Sequence, residues 1–353
     1  MAGGDSYARA IETTLPYDWY ADPDVLRREE ERIFRRAWQY AGHVGQLGDG
    51  AGYFAARAGR TPIVVTRDWD GVLRAFVNVC RHRGSVIAEG ESSRETLQCP
   101  YHAWTYGLDG RLRAAPRSDE EPDFPRDQLG LVPVAVDAWG PFIFVNASAA
   151  PEPLADALGS LPAQVAELLD VDSLVHHSRW EAEIAANWKI VSENFLECYH
   201  CQVAHPGFSA VVDVSAETYA LSTDGKLSTQ RGMLRTSRED VELPRAQFHF
   251  LFPNLGINIF GGKANLSIGP IVPLSPDRTY RFLDYFFGAD VDADWIAELL
   301  EFDTQVGDED RKLVEDVQRG VTSGALPRGV LMGHSEQLIA HFQELCKQSV
   351  QIP

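Results

Sequence analysis

The sequence predicts an α+β protein in which a small all-β module precedes a larger domain of antiparallel strands and long helices. Short β-prone runs separated by Asp-Gly turns fill residues 41–146, and longer alternating runs recur between residues 178 and 287. A helical pattern then spans residues 292–319. An antiparallel sheet packed against long helices is the usual architecture for such an order of elements.

The length and composition fit two domains with a substantial hydrophobic core. The chain has 353 residues, of which 44% are hydrophobic. An Ala/Pro/Ser-rich stretch at 147–153 reads as a linker. We therefore expect an N-terminal helical segment (1–40) packed on the second domain, a β domain (41–150) and a second domain (151–353).

The charge and the cysteine count limit the partners and the location. The formal net charge is −19, which disfavours nucleic acids and anionic membranes because both carry negative charge. The five cysteines are an odd number, and the sequence shows neither a secretory apolar segment nor a long apolar span. We expect a cytoplasmic protein whose thiols bind metal rather than form disulfides.

The first elements follow from local signals. Asp22 is a good N-cap and Pro23 suits the first helical position, so an amphipathic helix is predicted at about 23–39. In the β module, tight turns are predicted at 70–71 and 109–110, where Asp is followed by Gly.

Two cysteine–histidine pairs lie in predicted loops of the β module, Cys80-x-His82 and Cys99-x-x-His102. The short spacings let both members of a pair reach one ion, and thiolate with imidazole suits iron or zinc. Two cysteines on one iron and two histidines on the other form a Rieske [2Fe–2S] centre. The ligand set alone also permits a Cys2His2 zinc site, whereas a disulfide between Cys80 and Cys99 would explain neither histidine.

The second domain begins with predicted helices at 154–169 and 187–201, on either side of a strand at 178–186. Further strands are expected at 248–252, 255–260, 266–272 and 279–287. The last predicted element is the helix at 292–319, with Gly320 as its C-cap.

A second group of chemistry-bearing residues lies around Pro206. His200 and His205 would point in different directions on a continuous helix, but Pro206 disfavours helical backbone at His205 and lets the two rings converge. Glu197 lies one turn before His200 on the same helical face. Alternatively, the helix carries only solvated ion pairs on a polar side formed by Lys189, Glu193, Glu197 and His200.

Two other patterns in this domain have ordinary explanations. Cys198 and Cys201 form a C-x-x-C without a redox context, so we interpret them as small packing residues. Phe248, Phe250 and Phe252 alternate along a strand, and they could line an aromatic pocket. A sheet core is the more common cause of such a pattern.

Asp310 interrupts an apolar stripe on the long helix. The stripe comprises Trp295, Leu299, Phe302, Val306, Leu313 and Val317. A carboxylate in an apolar stripe is costly unless it is paired or binds a metal, so Asp310 is a candidate third ligand. Its neighbours Asp308 and Glu309 fall off the stripe and are expected to face solvent. Asp310 could instead pair with a buried arginine or cap a break at Gly307.

A Cys/His quartet followed by a 2-His-1-carboxylate set resembles the catalytic α subunit of the Rieske non-haem iron oxygenases, and the resemblance covers nearly the whole chain. The motifs that carry it are Glu30-x-x-Ile33-Phe34-x-x-x-Trp38, Asn78-Val-Cys80-Arg-His82-Arg-Gly84, Cys99-Pro-Tyr-His102-x-Trp104, Glu193-Asn194-Phe195-x-Glu197-x-Tyr199-His200, His205-Pro206 and Asp310 with Gln318-Arg-Gly320. The resemblance implies a β Rieske domain followed by a helix-grip catalytic domain.

The resemblance also implies the role of each site residue. Cys80, His82, Cys99 and His102 would hold the [2Fe–2S] cluster. His200, His205 and Asp310 would hold a mononuclear Fe(II). Glu197 would link a Rieske histidine of one subunit to an iron histidine of the next, so an oligomer would be required for activity. Family members without a second subunit type are commonly trimers, and the resemblance therefore implies a homotrimer. Many relatives have Asp at this position, and Glu is similar to the branch that acts on choline, betaine and carnitine.

The implied activity is that of a terminal oxygenase. The enzyme would use O2 to hydroxylate or N-demethylate a small organic substrate, with electrons from NAD(P)H delivered by a separate reductase or ferredoxin. The sequence has no Gly-rich dinucleotide fingerprint after a strand, so a partner must collect the hydride electrons. An arene cis-dihydroxylating dioxygenase, a Rieske electron-transfer protein and a zinc-stabilised binding module remain as alternatives at this stage.

Overall fold

The computed structural model describes residues 12–235 and 241–350. The start of the expected N-terminal segment (1–11), the stretch 236–240 and the last residues of the expected second domain (351–353) lie outside the described residues. Within the described part of the chain, no helix is both long enough and apolar enough to cross a lipid bilayer.

The first helix, α1 (Pro23–Glu29), starts as predicted and ends earlier. The Asp22 side chain accepts a hydrogen bond from the Asp24 amide at 2.7 Å and caps the helix. The α-helical ladder then widens into a π-helical turn, Glu30–Phe34, in which the Arg35 amide donates to the Glu30 carbonyl at 3.0 Å. This break leaves room for the first strand, and the prediction of a helix up to residue 39 was wrong.

The β module comprises ten strands. They are β1 (Gln39–His43), β2 (Gly52–Ala58), β3 (Thr61–Arg67), β4 (Leu73–Val77), β5 (Glu91–Ser92), β6 (Thr96–Gln98), β7 (Thr105–Gly107), β8 (Leu112–Ala114), β9 (Pro133–Trp139) and β10 (Phe142–Asn146). Seven form one antiparallel sheet in the order β1-β10-β9-β4-β3-β2-β5, and β6, β7 and β8 form a small separate sheet.

Both predicted Asp-Gly turns are present. Gly71, between β3 and β4, has φ +77°, and Gly110, between β7 and β8, has φ +78°. A Cβ at Gly110 would lie 2.4 Å from the ring of Phe76, so glycine is required there by both conformation and space.

The second sheet contains seven antiparallel strands in the order β11-β17-β16-β15-β14-β13-β12. They are β11 (Leu174–Ile184), β12 (Ala220–Asp224), β13 (Leu227–Met233), β14 (Arg245–Leu251), β15 (Leu255–Ile259), β16 (Asn265–Ser275) and β17 (Arg278–Gly288). Its helices are α2 (Leu154–Leu158), α3 (Leu161–Ala166), α4 (Trp188–Phe195), α5 (Cys201–Ala204), α6 (Pro206–Val211), α7 (Ala293–Thr322) and α8 (Gln337–Val350).

Several predicted boundaries in this domain were wrong. The helix expected at 154–169 is two short helices separated by Gly159, which has φ +55°. The helix expected to reach residue 201 ends at Phe195, so His200 does not lie on its continuation. The predicted C-cap Gly320 lies inside α7, and a glycine with φ +69°, Gly324, follows the end of that helix. Strands β12 and β13 and helix α8 were not predicted from the sequence.

The helix α4 is held in the core by a buried ion pair that joins it to α1. Lys189 Nζ lies 2.7 Å from Glu29 Oε1, and both side chains are fully buried. The Trp188 indole donates to the other Glu29 oxygen at 2.8 Å. Glu193 is half-buried, and it accepts hydrogen bonds from Tyr20 and Gln343. The alternative of a solvated polar side on this helix is therefore excluded.

Candidate metal centres

Three side chains from separate elements converge at one end of α4. His200 Nε2 lies 3.1 Å from His205 Nε2, and Asp310 Oδ1 lies 2.9 Å from His205 Nε2 and 3.4 Å from His200 Nε2. Two ligands at about 2.1 Å from one ion and at right angles would be about 3.0 Å apart. The three donor atoms thus have the spacing and the chemistry of a 2-His-1-carboxylate iron site.

The local backbone explains how the two histidines meet. After α4 ends, residues 197–200 turn into the short helix α5, and His205 has φ −122° and ψ +66° before Pro206 starts α6. The proline therefore interrupts the helix at His205, as predicted, and the rings make an edge contact with centroids 5.0 Å apart.

Each histidine has a second carboxylate on its other ring nitrogen. Glu197 Oε1 contacts His200 Nδ1, and Glu309 Oε2 lies 2.7 Å from His205 Nδ1. A carboxylate at Nδ1 favours the tautomer that keeps the Nε2 lone pair for a metal, and it fixes the ring orientation. Gln305 in turn donates to Glu309 at 3.0 Å. The expectation that Glu309 faces solvent was wrong, because His205 lies over the α7 face next to that of Asp310.

The electrostatics of the group follow from these contacts. Burial lowers the pKa of His200, but hydrogen bonds with Asp310 and Glu197 outweigh it and raise the pKa to about 9. Burial raises the pKa of Asp310, and the two histidines reverse this and hold it well below its usual range. Asn194 also donates to Asp310 Oδ1 at 3.0 Å. The negative charge of Asp310 is therefore stabilised by the two histidines and Asn194. No arginine in the described part of the chain pairs with Asp310, so the alternative of a buried arginine partner was wrong.

The apolar stripe around Asp310 differs from the predicted one in its second half. Trp295, Leu299, Phe302 and Val306 pack against the sheet as expected. Beyond Asp310, however, the buried residues are Val314, Gln318 and Val321, and Val317 is 49% exposed. The buried face thus follows steps of four, four and three from Asp310, and the assignment of Val317 to the stripe was wrong.

The cysteine–histidine quartet lies on two matching loops of the β module. In each loop, backbone hydrogen bonds of the cysteine close a tight turn. The Cys80 amide donates to the Ser85 carbonyl and its carbonyl accepts from the Gly84 amide. In the same way, the Cys99 amide donates to Trp104 and its carbonyl accepts from Ala103. The thiols are buried, whereas His82 and His102 are exposed with ring centroids 4.7 Å apart.

This arrangement suits a cluster with an inner iron on sulfur and an outer iron on imidazole near the surface. The Tyr106 hydroxyl lies 3.3 Å from the Cys80 sulfur. Burial raises the pKa of Cys99, but backbone amides including those of Tyr101 and His102 outweigh it and lower the pKa, which favours the thiolate that iron requires.

A pocket of about 840 Å³, part of it open to solvent, adjoins the His200–His205–Asp310 group. Much of its wall is aromatic and includes Trp180, Phe208, Tyr219, Phe248 and Phe260. Of the three alternating phenylalanines, Phe248 lines the pocket, while Phe250 packs in the core against Phe195 and Phe342. Both explanations of that pattern therefore apply, to different residues.

Cys198 and Cys201, which also line the pocket, are joined by a disulfide. The interpretation as separate packing residues was wrong, because the turn after α4 brings their Cα atoms to 4.9 Å. The three other cysteines are free and buried.

A further group of possible metal ligands, His43, His176 and Asp284, lies between the two large sheets. Both oxygens of Asp284 are occupied, since Arg179 donates to each at 2.7 Å and the Tyr40 hydroxyl donates to one at 2.7 Å. The positive guanidinium disfavours a cation here, so we interpret the group as a structural ion pair.

Comparison with known proteins identifies the two domains that carry these groups of residues. A family model described as the Rieske [2Fe-2S] domain matches residues 37–131, and one described as the ring hydroxylating alpha subunit (catalytic domain) matches residues 171–351. The carnitine monooxygenase oxygenase subunit of Escherichia coli K12 is 33% identical over 95% of this chain and 93% of its own length. The chloroplastic choline monooxygenase of Atriplex hortensis is 33% identical over 93% of this chain and 76% of its own length.

Solved structures show the same similarity. A quaternary ammonium Rieske monooxygenase in complex with L-carnitine superposes with a TM-score of 0.87 at 30% identity, over 97% of this chain and 96% of the other. Naphthalene 1,2-dioxygenase from Rhodococcus sp. gives a TM-score of 0.80 at 19% identity, which shows a common fold alone. The chain therefore belongs to the Rieske non-haem iron oxygenases, in which it is an α subunit and terminal oxygenase with a [2Fe–2S] domain and a mononuclear-iron catalytic domain.

Proposed function

We propose that this enzyme is a monooxygenase of a small trimethylammonium compound. The observation that carries the proposal is the aromatic pocket beside the three converging iron-ligand candidates. Aromatic faces bind quaternary ammonium groups by cation–π attraction and need no hydrogen-bond acceptor to do so. The similarity to carnitine and choline monooxygenases over nearly the whole chain supports the same substrate class.

We assign the metal sites as follows. His200, His205 and Asp310 hold the iron, and Cys80, His82, Cys99 and His102 hold the cluster, within domains that we place at 41–150 and 151–353. When bound, the cluster supplies single electrons and the iron supplies the O2 chemistry. The protein side chains then have separate tasks. Glu197 and Glu309 fix the two imidazoles, and Asn194 holds the carboxylate of Asp310.

The net reaction consumes O2, two electrons and two protons, and it yields one hydroxylated carbon and one water. If the carbon carries the quaternary nitrogen, the product breaks its C–N bond to give a carbonyl compound, a tertiary amine and a proton. The pocket walls hold the substrate and exclude water from the reacting carbon. NAD(P)H electrons come through a partner reductase, as in the family, and a ferredoxin is a further candidate partner.

We also propose that Glu197 receives a cluster histidine from a neighbouring copy, in a homotrimer. Two observations support such docking. Beside Glu197, Tyr199 and Val203 are 59% and 89% exposed, which is a large apolar exposure for a monomer surface. Beside His102, Tyr101 is exposed, and the Arg83 guanidinium lies over its ring at 5.3 Å from the centroid. We propose that the aromatic and basic surface beside His102 docks on the apolar surface beside Glu197 of the neighbouring copy.

The test is a substrate panel with the purified enzyme and a surrogate reductase supplied with NADH. Trimethylammonium compounds should stimulate O2 uptake with formation of matching amounts of aldehyde and amine. Simple arenes should stimulate little uptake. A dihydrodiol from an arene, with no amine released from any trimethylammonium compound, would overturn the proposal in favour of an arene dioxygenase.

A further inference from the structure

Among the described residues that line the pocket, Arg281 is the one arginine or lysine, and the histidines there are the candidate iron ligands His200 and His205. Along β17, side chains alternate between two faces, and Arg281, Leu283 and Tyr285 all line the pocket. The intervening residues Phe282 and Phe286 point into the core on the opposite face. The register of the strand thus places Arg281 in the substrate pocket.

Arg281 differs from the other arginines of this sheet because it lacks a partner. Its Nε is buried and makes no hydrogen bond, and no carboxylate in the described part of the chain lies within 4.0 Å of its guanidinium. By contrast, Arg179 is paired with Asp284, Arg245 with Glu167, and Arg278 with Glu183. An unpaired buried donor group on a cation is expensive, and a ligand that pairs with it recovers that cost.

Asp303 also lines the pocket and does not form an ion pair with Arg281. Asp303 accepts a hydrogen bond from the Tyr285 hydroxyl instead. Burial raises the pKa of Asp303, and the charge of Arg281 offsets this only in part. The guanidinium carbon lies over the ring of Phe195 at 5.8 Å from its centroid, and Asn194, the adjacent residue, contacts Asp310. Arg281 therefore contacts Phe195, the neighbour in sequence of the residue that donates a hydrogen bond to Asp310.

We infer that Arg281 binds a carboxylate of the substrate, so that the preferred substrates are zwitterions with a trimethylammonium group at one end and a carboxylate at the other. The planar guanidinium fork matches a carboxylate in two parallel hydrogen bonds. An alcohol offers no charge to this group, so choline-type compounds are the poorer ligands. This inference rests on the proposed trimethylammonium chemistry and specifies its second anchor.

The experiment compares γ-butyrobetaine with its methyl ester, because one added methyl group removes the carboxylate charge and leaves the trimethylammonium end unchanged. Binding to the metal-loaded enzyme is measured by calorimetry without O2, and KM and kcat are measured by amine release. Arg281→Gln should weaken carboxylate binding by about 10–100-fold and change ester binding less than about twofold. Arg281→Lys should give an intermediate loss because it keeps the charge but not the fork.

Arg278→Gln is the matched control, since it removes a guanidinium from the same strand where the side chain is 57% exposed and paired with Glu183. It should bind both compounds like the wild type. Equal weakening of acid and ester by Arg281→Gln would mean that Arg281 is only a structural counter-charge, and this would overturn the inference. The inference also fails, while the proposed function stands, if the wild type oxidises both compounds with equal KM. If the wild type oxidises other trimethylammonium compounds but neither binds nor oxidises these two, the inference fails and the proposed function stands. If it oxidises no trimethylammonium compound, both fail.

Discussion

Glu309 provides a sharp test of the metal site, because its part in the site was invisible in the sequence and depends on one contact. Its carboxylate lies 2.7 Å from His205 Nδ1, on the ring nitrogen opposite the atom that faces Asp310. Replacing Glu309 by alanine removes this acceptor, so the ring loses both its fixed tautomer and its fixed orientation. The helix itself should tolerate the change, since alanine is the best helix former.

The expected magnitude follows from comparable metal sites. Loss of a carboxylate that holds a metal-bound histidine weakens metal affinity by about 10–100-fold, which is about 1.4–2.7 kcal/mol. We expect Glu309→Ala to lose its mononuclear iron at a correspondingly lower chelator concentration than the wild type. Glu309→Gln should be intermediate, because the amide oxygen still accepts a hydrogen bond but carries no charge. The visible spectrum of the [2Fe–2S] cluster should not change in either variant.

Asp308→Ala is the control for this experiment. Its side chain is 65% exposed and lies 3.7 Å from Arg311, so it touches neither histidine. It should release iron at the wild-type chelator concentration. If Glu309→Ala and Asp308→Ala release iron at the same chelator concentration, the orienting contact to His205 has no energetic importance and the reasoning is refuted.

Three further predictions concern electron transfer, the core and the response to acid. Glu197→Gln should keep both metal centres by iron and sulfide analysis and lose substrate turnover; near-normal turnover would exclude Glu197 as the bridge. Glu29→Ala leaves Lys189 charged and unpaired in the core and should lower the free energy of unfolding by about 3–5 kcal/mol, measured by urea denaturation against the exposed control Glu31→Ala; an equal effect of the two would show that the buried pair is unimportant. Burial raises the pKa of Asp284, but Arg179 and its other hydrogen-bond partners outweigh burial and hold the pKa below its ordinary value. The unfolded chain therefore binds more protons at this residue, and stability is lost as the pH falls below about 4. Asp284→Asn should show a smaller loss of stability between pH 6 and pH 3 than the wild type, and an identical loss in both proteins would contradict the assignment.

The sequence predicted the site best where short-range chemistry decides the geometry. The Cys80–His82 and Cys99–His102 spacings require tight loops, and Pro206 requires a break at His205. Both groups could therefore be predicted from the sequence without knowledge of the fold. Asp310 could be identified because a carboxylate in an apolar stripe is energetically costly unless it is paired or binds a metal. These signals depend on neighbours within a few residues.

Other features depended on contacts that sequence spacing does not encode. Glu309 lies next to Asp310 on α7, and its role follows from where His205 comes to lie. Arg281, Leu283 and Tyr285 occupy every second position of β17 and therefore share one face of the sheet. Nothing in that pattern indicates which face of the sheet lines a pocket. The early end of α4 at Phe195 and the disulfide between Cys198 and Cys201 both follow from a turn that carries no Gly or Pro signal.

We propose that seven side chains form two separate iron centres, and the content of iron and acid-labile sulfide per chain is the most direct test. The wild type should contain about three irons and about two sulfides, and Asp310→Ala should contain about two of each. Zinc without sulfide in the wild type, or an unchanged content of about three irons in Asp310→Ala, would contradict the account.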